Sequence, residues 1–169
     1  MFKTARIALA MVAALAAFNS HAAVITSDTY NGNTYLLLSQ QNWFNAETEA
    51  QSLGGHLVTV NDDAENDWLW STFQSYGNLW IGLNDIAAEG TYVWSSGQSS
   101  TYLNWASGEP NNCCGGEDAV HFWGGINAWN DLNAFSNLYA IAEIEAVPAP
   151  AALVLLGMGL LGLGFRRQQ

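Results

Sequence analysis

Between Arg6 and Arg166 the chain carries fifteen carboxylates and not one lysine or arginine. All four basic residues, Lys3, Arg6, Arg166 and Arg167, lie in the terminal segments, and every acidic residue falls between Asp28 and Glu145. Fifteen acidic and no basic residues give that stretch a formal charge of −15. It cannot fold by pairing its charges, and its carboxylates repel one another unless cations gather among them. An apolar core has to carry the fold, and the eight Trp, six Tyr and seven Phe are enough to build one. No cationic surface is present to meet phosphates, so nucleic acid is not an expected partner. A length of 169 residues is that of one average domain.

The two ends read as addresses. Residues 1–23 have the form of a secretory signal peptide: Lys3 and Arg6, an apolar run from Ile7 to Phe18, and small residues allowing cleavage after Ala22 or Ala23. Residues 147–169 begin Val147-Pro148-Ala149-Pro150, continue as an apolar stretch from Ala151 to Phe165, and close on Arg166-Arg167. That stretch is shorter than the roughly 20 residues a span prefers, but thin bilayers and snorkelling arginines compensate. The order of proline motif, short apolar helix and terminal arginines resembles the PEP-CTERM sorting signal of Gram-negative bacteria, with Ala149 where a glutamate is usual. The resemblance implies the inner membrane and an exosortase-type protease as partners, and frequent association with exopolysaccharide.

No linker or repeat divides residues 24–146. Thr34 to Ser39 is a β-type run. Trp43 to Leu53 is helical, with Asn42 as cap and Gly54-Gly55 as stop. His56 to Val60 reads as a strand. Asn61 then caps a second helix ending near Phe73, with Asp62, Asp63 and Glu65 in its first turn. Leu79 to Leu83 reads as a buried strand, and Tyr92 to Trp94, Ala119 to Trp123 and Leu138 to Ile144 as later ones. Two early helices, short strands and long loops indicate an α+β domain.

Within the 23 residues from Glu109 to Asp131 lie five oxygen-bearing side chains: Glu109, Asn111, Glu117, Asn130 and Asp131. Carboxylates and amide carbonyls suit a hard cation such as calcium, which takes about 6–8 oxygens. Pro110, between the first two, makes a rigid turn that fixes their directions. A calcium ion held in an open loop can bind hydroxyls, which is chemistry for grasping sugars rather than cutting them.

Residues 30–146 resemble a C-type lectin-like domain. The resemblance rests on Trp43-Phe44-Asn45-Ala46, Leu53-Gly54-Gly55-His56-Leu57, Leu79-Trp80-Ile81-Gly82-Leu83-Asn84-Asp85, Leu103-Asn104-Trp105, Glu109-Pro110-Asn111, Gly116-Glu117-Asp118 and Trp129-Asn130-Asp131, in the family's order. It implies two helices with short antiparallel sheets and a long calcium-binding loop region. The principal calcium would sit at Glu109, Asn111, Glu117, Asn130 and Asp131, with the Asp131 carbonyl added and the Glu109–Pro110 bond cis. Glu109, Asn111, Glu117 and Asn130 would also bind the sugar, each hydroxyl donating to a carboxylate and accepting from an amide NH₂. In the family this order goes with mannose- or glucose-type diols. A second calcium is suggested at Asp85, Glu89, Asn112 and Asp118, with Asn112 where an aspartate is usual.

The chain departs from that family at its bridges. The four positions that usually hold disulfides fall at Ala50 with Ala142 and Ala119 with Ala134. Each missing bridge forfeits about 2–4 kcal/mol, which the core and bound calcium have to supply. Cys113 and Cys114 stand elsewhere, inside the binding loop. Read plainly they are two small loop residues; in an exported protein they can also form a vicinal disulfide, pair between chains or remain thiols. No second Cys or His pair has zinc spacing, and His56 and His121 read as packing or edge residues. No catalytic triad order or phosphate-binding glycine loop is present. Glu109 and Glu117 match a glycosidase pair in type, but carboxylates used as calcium ligands make poor general acids. The sequence therefore points to an exported, non-enzymatic, calcium-dependent lectin of the bacterial surface or exopolysaccharide matrix. The competing reading is a structural matrix protein that uses the same fold for protein contacts, without sugar.

Overall fold

The computed structural model describes residues 23–146; all but the last residue of the segment 1–23 expected to be a signal peptide, and the expected sorting segment 147–169, lie outside the described residues. The chain runs through β1 (Val24–Tyr30), β2 (Asn33–Gln41), α1 (Trp43–Ser52), β3 (His56–Leu57), α2 (Asp63–Phe73), β4 (Leu79–Asn84), β5 (Val93–Trp94), β6 (Ala119–Phe122), β7 (Trp129–Leu132) and β8 (Leu138–Ile144). A short 3-10 turn, Gln74–Tyr76, follows α2.

The strands make one eight-stranded sheet in the order β1-β2-β8-β4-β6-β7, with β3 on β8 and β5 on β4. All pairs are antiparallel except β4 with β8, which is parallel through Leu79↔Tyr139 and Trp80↔Ala140. The expectation of antiparallel sheets is thus corrected at this pair: β4 and β8 lie far apart in sequence, so no tight hairpin forces them to run opposite ways. The first and last strands sit near one another, both beside β2 or on it.

Helix α1 starts where expected. Asn42 stays extended and its side chain accepts from Asn45 N–H at 2.9 Å, satisfying one orphan donor of the first turn. At the other end Gly54 takes a φ of +92°. Gly55 then passes so close to the Glu143 carbonyl that an added Cβ would overlap it. Helix α2 begins one residue later than the sequence suggests. Asp62, not Asn61, is the cap and accepts from Glu65 N–H at 2.8 Å. Asn61 instead donates its backbone N–H to Glu65 Oε2, at 2.8 Å. The strand expected over His56 to Val60 is cut to its first two residues. Val58, Thr59 and Val60 are fully buried but leave the ladder, with Val58 bonding Ile141 and Gly82 by its two backbone groups.

Two cores lie on the two sides of the sheet. One gathers Leu37, Val58, Leu69, Phe73, Ile81, Val120, Phe122 and Trp129 among others. The second holds Leu38, Trp43, Ala46, Leu57, Trp80 and the four alanines 50, 119, 134 and 142. Those alanines are buried to within 1%, so the positions that bridge in the resembling family here pack as small core residues. The Trp43 and Trp80 indoles each donate across the cluster, to the carbonyls of Ile81 and Gln41. Such donors let a large ring be buried without an unpaired N–H.

Candidate functional site

Three neighbouring strands bring the expected residues together. In register, Asn84 of β4 faces Ala119 of β6, and Ala119 faces Leu132 of β7. Asp85 therefore leaves β4, Glu117 and Asp118 enter β6, and Asn130 and Asp131 sit on β7, all at one end of the sheet. The loop between β5 and β6 lays Glu109, Pro110 and Asn111 over that end. Two backbone bonds of 2.8 Å, Ala106 N–H to Trp129 O and Trp129 N–H to Asn104 O, pin the loop to β7. The buried Trp129 ring meets Trp94, Tyr102, Trp105 and Phe122 edge to face. Its indole N–H donates to Asn66 Oδ1 at 3.0 Å. Five aromatic side chains thus brace the loop against β7.

The Glu109–Pro110 bond is cis, as the resemblance implies. Asp131 is fully buried and gathers the loop. Its Oδ1 accepts from Asn111 N–H at 3.2 Å, and its Oδ2 from Asn112 N–H at 2.9 Å and Tyr92 O–H at 3.3 Å. Cys113 N–H is shared between Asn111 Oδ1 and Glu117 Oε2, each at 2.9 Å. Asn112 Oδ1 accepts from Glu117 N–H at 2.8 Å. Asn112 therefore commits its carbonyl to the loop's own backbone. The carboxyls of Asp85, Glu89 and Asp118 crowd beside it, and Asp85 Oδ2 accepts from Gly90 N–H at 2.7 Å.

Desolvation, then Asp131 and Glu117, holds the Glu109 carboxyl above the ordinary carboxylate value. Desolvation also raises Glu117, with Asp131 adding and the Cys113 N–H opposing. Partial shielding, then Asp85 and Asp118, raises Glu89, an effect that solvent screening moderates at this exposed residue.

Among the described residues three buried side-chain oxygens have no hydrogen-bond partner: Glu109 Oε2, Asn130 Oδ1 and Asp85 Oδ1. Each belongs to a residue expected to ligate calcium, the first two at the principal site and the third at the second. A buried acceptor without a donor costs about 1–3 kcal/mol, and a hard cation supplies what such atoms lack. The donor set is all oxygen and fits calcium. Among the described residues no three His, Cys, Asp or Glu side chains converge closely enough to hold an ion by themselves. The three carboxylates of the first expected set, Glu109, Glu117 and Asp131, are thus not drawn into such a cluster here, nor are Asp85, Glu89 and Asp118 of the second.

Two residues join the site from outside the expected set. Tyr92 binds Asp131, as above. His121, read as a packing residue, is buried between Trp80 and the loop. Its Nδ1 lies 2.7 Å from Phe122 O and must donate there, which leaves Nε2 as an acceptor facing Asn130 Nδ2 at 3.4 Å. Burial lowers the imidazole's pKa and keeps it neutral. The amide nitrogen of Asn130 is drawn to His121 and to Asp131 O, so its oxygen points away and stays free. A His two residues after the start of β6 gives no sequence signal for this role, because its partner lies on another strand. Cys113 and Cys114 are bonded to one another in a vicinal disulfide.

Residues 39–143 match the Lectin C-type domain family. The chain belongs to the C-type lectins. Residues 146–168 match the PEP-CTERM protein-sorting motif, a signal for export and membrane processing in Gram-negative bacteria. Among curated proteins, this lectin is 37% identical over 105 residues to a perlucin-like protein of Mytilus galloprovincialis, covering 58% of this chain and 66% of that one. It is 36% identical over 100 residues to a C-type lectin mannose-binding isoform of Oxyuranus scutellatus, covering 55% and 63%. The lectin thus spans less than two thirds of either relative. Among solved structures it resembles the cow CD23 carbohydrate-recognition domain, crystallised in the presence of GlcNAc2Man3 oligosaccharide. The two share 29% identity at a TM-score of 0.67, over 72% of this chain and 95% of that one. The C-type lectin CEL-I of Cucumaria echinata gives 27% identity, a TM-score of 0.67 and coverage of 72% and 96%. The α+β fold with two helices is that of these neighbours.

Proposed function

We propose that this lectin is a calcium-dependent carbohydrate-binding protein, exported by a Gram-negative cell and held at its surface or in its exopolysaccharide matrix. The observation that carries the reading is the pair of unpartnered oxygens, Glu109 Oε2 and Asn130 Oδ1, in a loop rich in carboxylates and free of basic residues. Bound there, calcium supplies a Lewis-acidic centre for two vicinal hydroxyls of a sugar. Glu109 and Glu117 accept from those hydroxyls, while the amide of Asn111 donates, and that of Asn130 would donate on turning from His121 and Asp131 O. This order favours mannose- or glucose-type diols, and the mannose-binding name of one relative supports it. Asp85, Glu89 and Asp118 are proposed as a weaker second calcium site. Asn112 contributes there by bracing Glu117 and Glu89.

One diol makes few contacts, so each site binds on the order of millimolar, and clustering on a surface supplies avidity. The carboxylates of the loop serve as ligands, so no hydrolysis is proposed. The tail carries the partners on the cell side, the inner membrane and an exosortase-type protease.

A glycan panel probed with calcium and then with a chelator tests this. Binding of mannose- or glucose-type glycans that chelation abolishes is expected; no glycan bound in either condition would refute it. A second reading, a matrix protein making protein contacts, is favoured by one feature. Phe135 is 73% exposed and packs at a tilt against the exposed Phe44, with ring centroids 5.3 Å apart. Calcium binding with no glycan on the panel would favour that reading.

A further inference from the structure

The two cysteines occupy the one stretch of loop where a covalent change would reach both ends of the ligand set. The Cys113 N–H bonds Asn111 Oδ1 and Glu117 Oε2 together, each at 2.9 Å, and the Cys113 carbonyl accepts from Gly116 N–H at 3.3 Å. Both cysteines are exposed, so small reagents reach them. The backbone around them is held in an uncommon form: Asn112, Cys114, Gly115 and Gly116 have φ of 45°, 60°, 106° and 115°. For Asn112 and Cys114, which carry a Cβ, the left-handed region is unfavourable by roughly 1–2 kcal/mol. A ring closed across the Cys113–Cys114 peptide removes most of the alternatives to it. Opening the ring restores them and with them the entropy of an ordinary loop.

The rest of the fold is indifferent to reductant. Among the described residues no other cysteine exists, and the bridge positions of the family are buried alanines. Reduction therefore acts on the calcium loop alone.

We propose that Cys113–Cys114 is a thiol–disulfide exchange site whose state sets the calcium affinity, and so the sugar affinity, of the loop. The inference rests on the calcium-lectin reading. The co-reactant is a dithiol. One of its thiolates attacks a cysteine sulfur, breaking the S–S bond and forming a mixed disulfide. Its second thiolate then displaces that cysteine. Two electrons and two protons end on Cys113 Sγ and Cys114 Sγ, and the dithiol leaves as its own disulfide. The oxidised form presents Asn111 and Glu117 in the arrangement described. In the reduced form the shared Cys113 N–H is no longer held between them, and calcium binds about tenfold more weakly, within the usual range of coupling. Linkage runs both ways: calcium makes the disulfide tenfold harder to reduce, about 30 mV for a two-electron couple.

The test compares the full chain oxidised, reduced with dithiothreitol, and as the double variant Cys113→Ser/Cys114→Ser. Calcium affinity is read by titration, thiol state by alkylation and mass spectrometry, and folding by circular dichroism. Expected are an oxidised pair that resists alkylation until reductant is added and a tenfold loss of calcium affinity on reduction. Reoxidation should recover the affinity, and the folded spectrum should not change. The double variant should bind calcium as the reduced protein does and ignore dithiothreitol. Calcium should raise the dithiothreitol concentration needed for half-reduction. Equal calcium affinity in oxidised and reduced protein would overturn the proposal and leave the lectin reading standing. Free thiols before reduction would overturn it as well. Calcium binding in neither state would bring down the lectin reading itself, and this proposal with it.

Discussion

In the proposed site Asn111 would do what a carboxylate in its place could not, offering an oxygen to a cation and keeping N–H donors for a hydroxyl. Asn130 offers its free oxygen, its amide N–H groups being bonded to His121 Nε2 and Asp131 O. Asn111→Asp keeps an oxygen ligand but loses the donor, so it separates the two functions. Calcium affinity should be kept or improved, while affinity for mannose-type glycans falls at least tenfold, the scale of one unsatisfied buried polar group. Parallel calcium and glycan titrations measure both; glycan affinity unchanged in the variant would show that Asn111 does not face the sugar. The glutamates give the site its pH dependence. Glu109 and Glu117 both lie above the ordinary carboxylate value because of burial and neighbouring anions. Their protons must leave before a cation enters. Calcium affinity should therefore begin to fall, with decreasing pH, above the ordinary carboxylate range near 4.5. Titrations across acid pH read this, and an affinity flat down to that value would contradict it. At this scale the sequence was legible for where Glu109, Asn111, Glu117, Asn130 and Asp131 gather, because they stand in short motifs. It was silent on Tyr92 and His121, whose roles come from strand neighbours. It also left the cysteine pairing open, since adjacency alone does not choose between disulfide and thiols.

Elements were read well where an apolar rhythm marks them and poorly where the sheet makes its own demands. Helix α1 and strands β4 and β8 bury continuous or periodic apolar residues and were plain. Strand β1 was hidden, because its sequence VITSDTY is exposed along nearly its whole length and owes its conformation to pairing with β2. Strand β7 was hidden for the opposite reason. Its Asn130 and Asp131 are poor strand formers, held in the strand by pairing with β6 and by burial of Trp129 and Asp131. The shift of the α2 cap to Asp62 has a like cause, since Asn61 serves Glu65. Glu65 belongs to a buried network that ties α2 to β2 and β8. Tyr35 O–H lies 2.6 Å from Glu65 Oε1 and 3.2 Å from Glu143 Oε1. One hydroxyl proton serves Glu65 better than Glu143, whose Oε1 takes a shorter bond from Asn33 Nδ2, at 2.7 Å. Burial, then repulsion from Glu65, raises the Glu143 pKa. A carboxyl whose folded pKa is raised contributes stability below its unfolded pKa, and that stability is lost as pH rises through the folded value. Glu143→Gln, which removes the buried charge and its repulsion with Glu65 while keeping an oxygen for Asn33, should therefore melt a few degrees higher than the parent near neutrality. The gain should vanish in acid. Thermal melts at the two pH values read the difference; a gain that is larger in acid would refute the assignment.

For the molecule as a whole, the missing bridges and the missing cations are one problem. A domain with fifteen carboxylates and no basic residue between Arg6 and Arg166 is held by two aromatic and aliphatic cores alone, and four of its core positions are alanines where covalent links would help. Self-repulsion spread over the surface is relieved by any salt, because the Debye length falls to about 3 Å at 1 M. Repulsion among Glu117, Asp131 and Asp85 is not, since these side chains are at most 5% exposed and screening acts weakly on buried charge. Only an ion that enters the loop neutralises them. Calcium at a hundred times its dissociation constant would add about 2.7 kcal/mol through mass action, roughly what one disulfide supplies. Chelation should lower the melting temperature by about 5–10 °C for a domain of this size, and sodium chloride added after chelation should return only a minor part of it. Melts in calcium, in chelator, and in chelator with high salt separate the two effects. Full recovery by sodium chloride would assign the instability to the surface charge, and an unchanged melt in chelator would remove calcium from the fold's stability altogether.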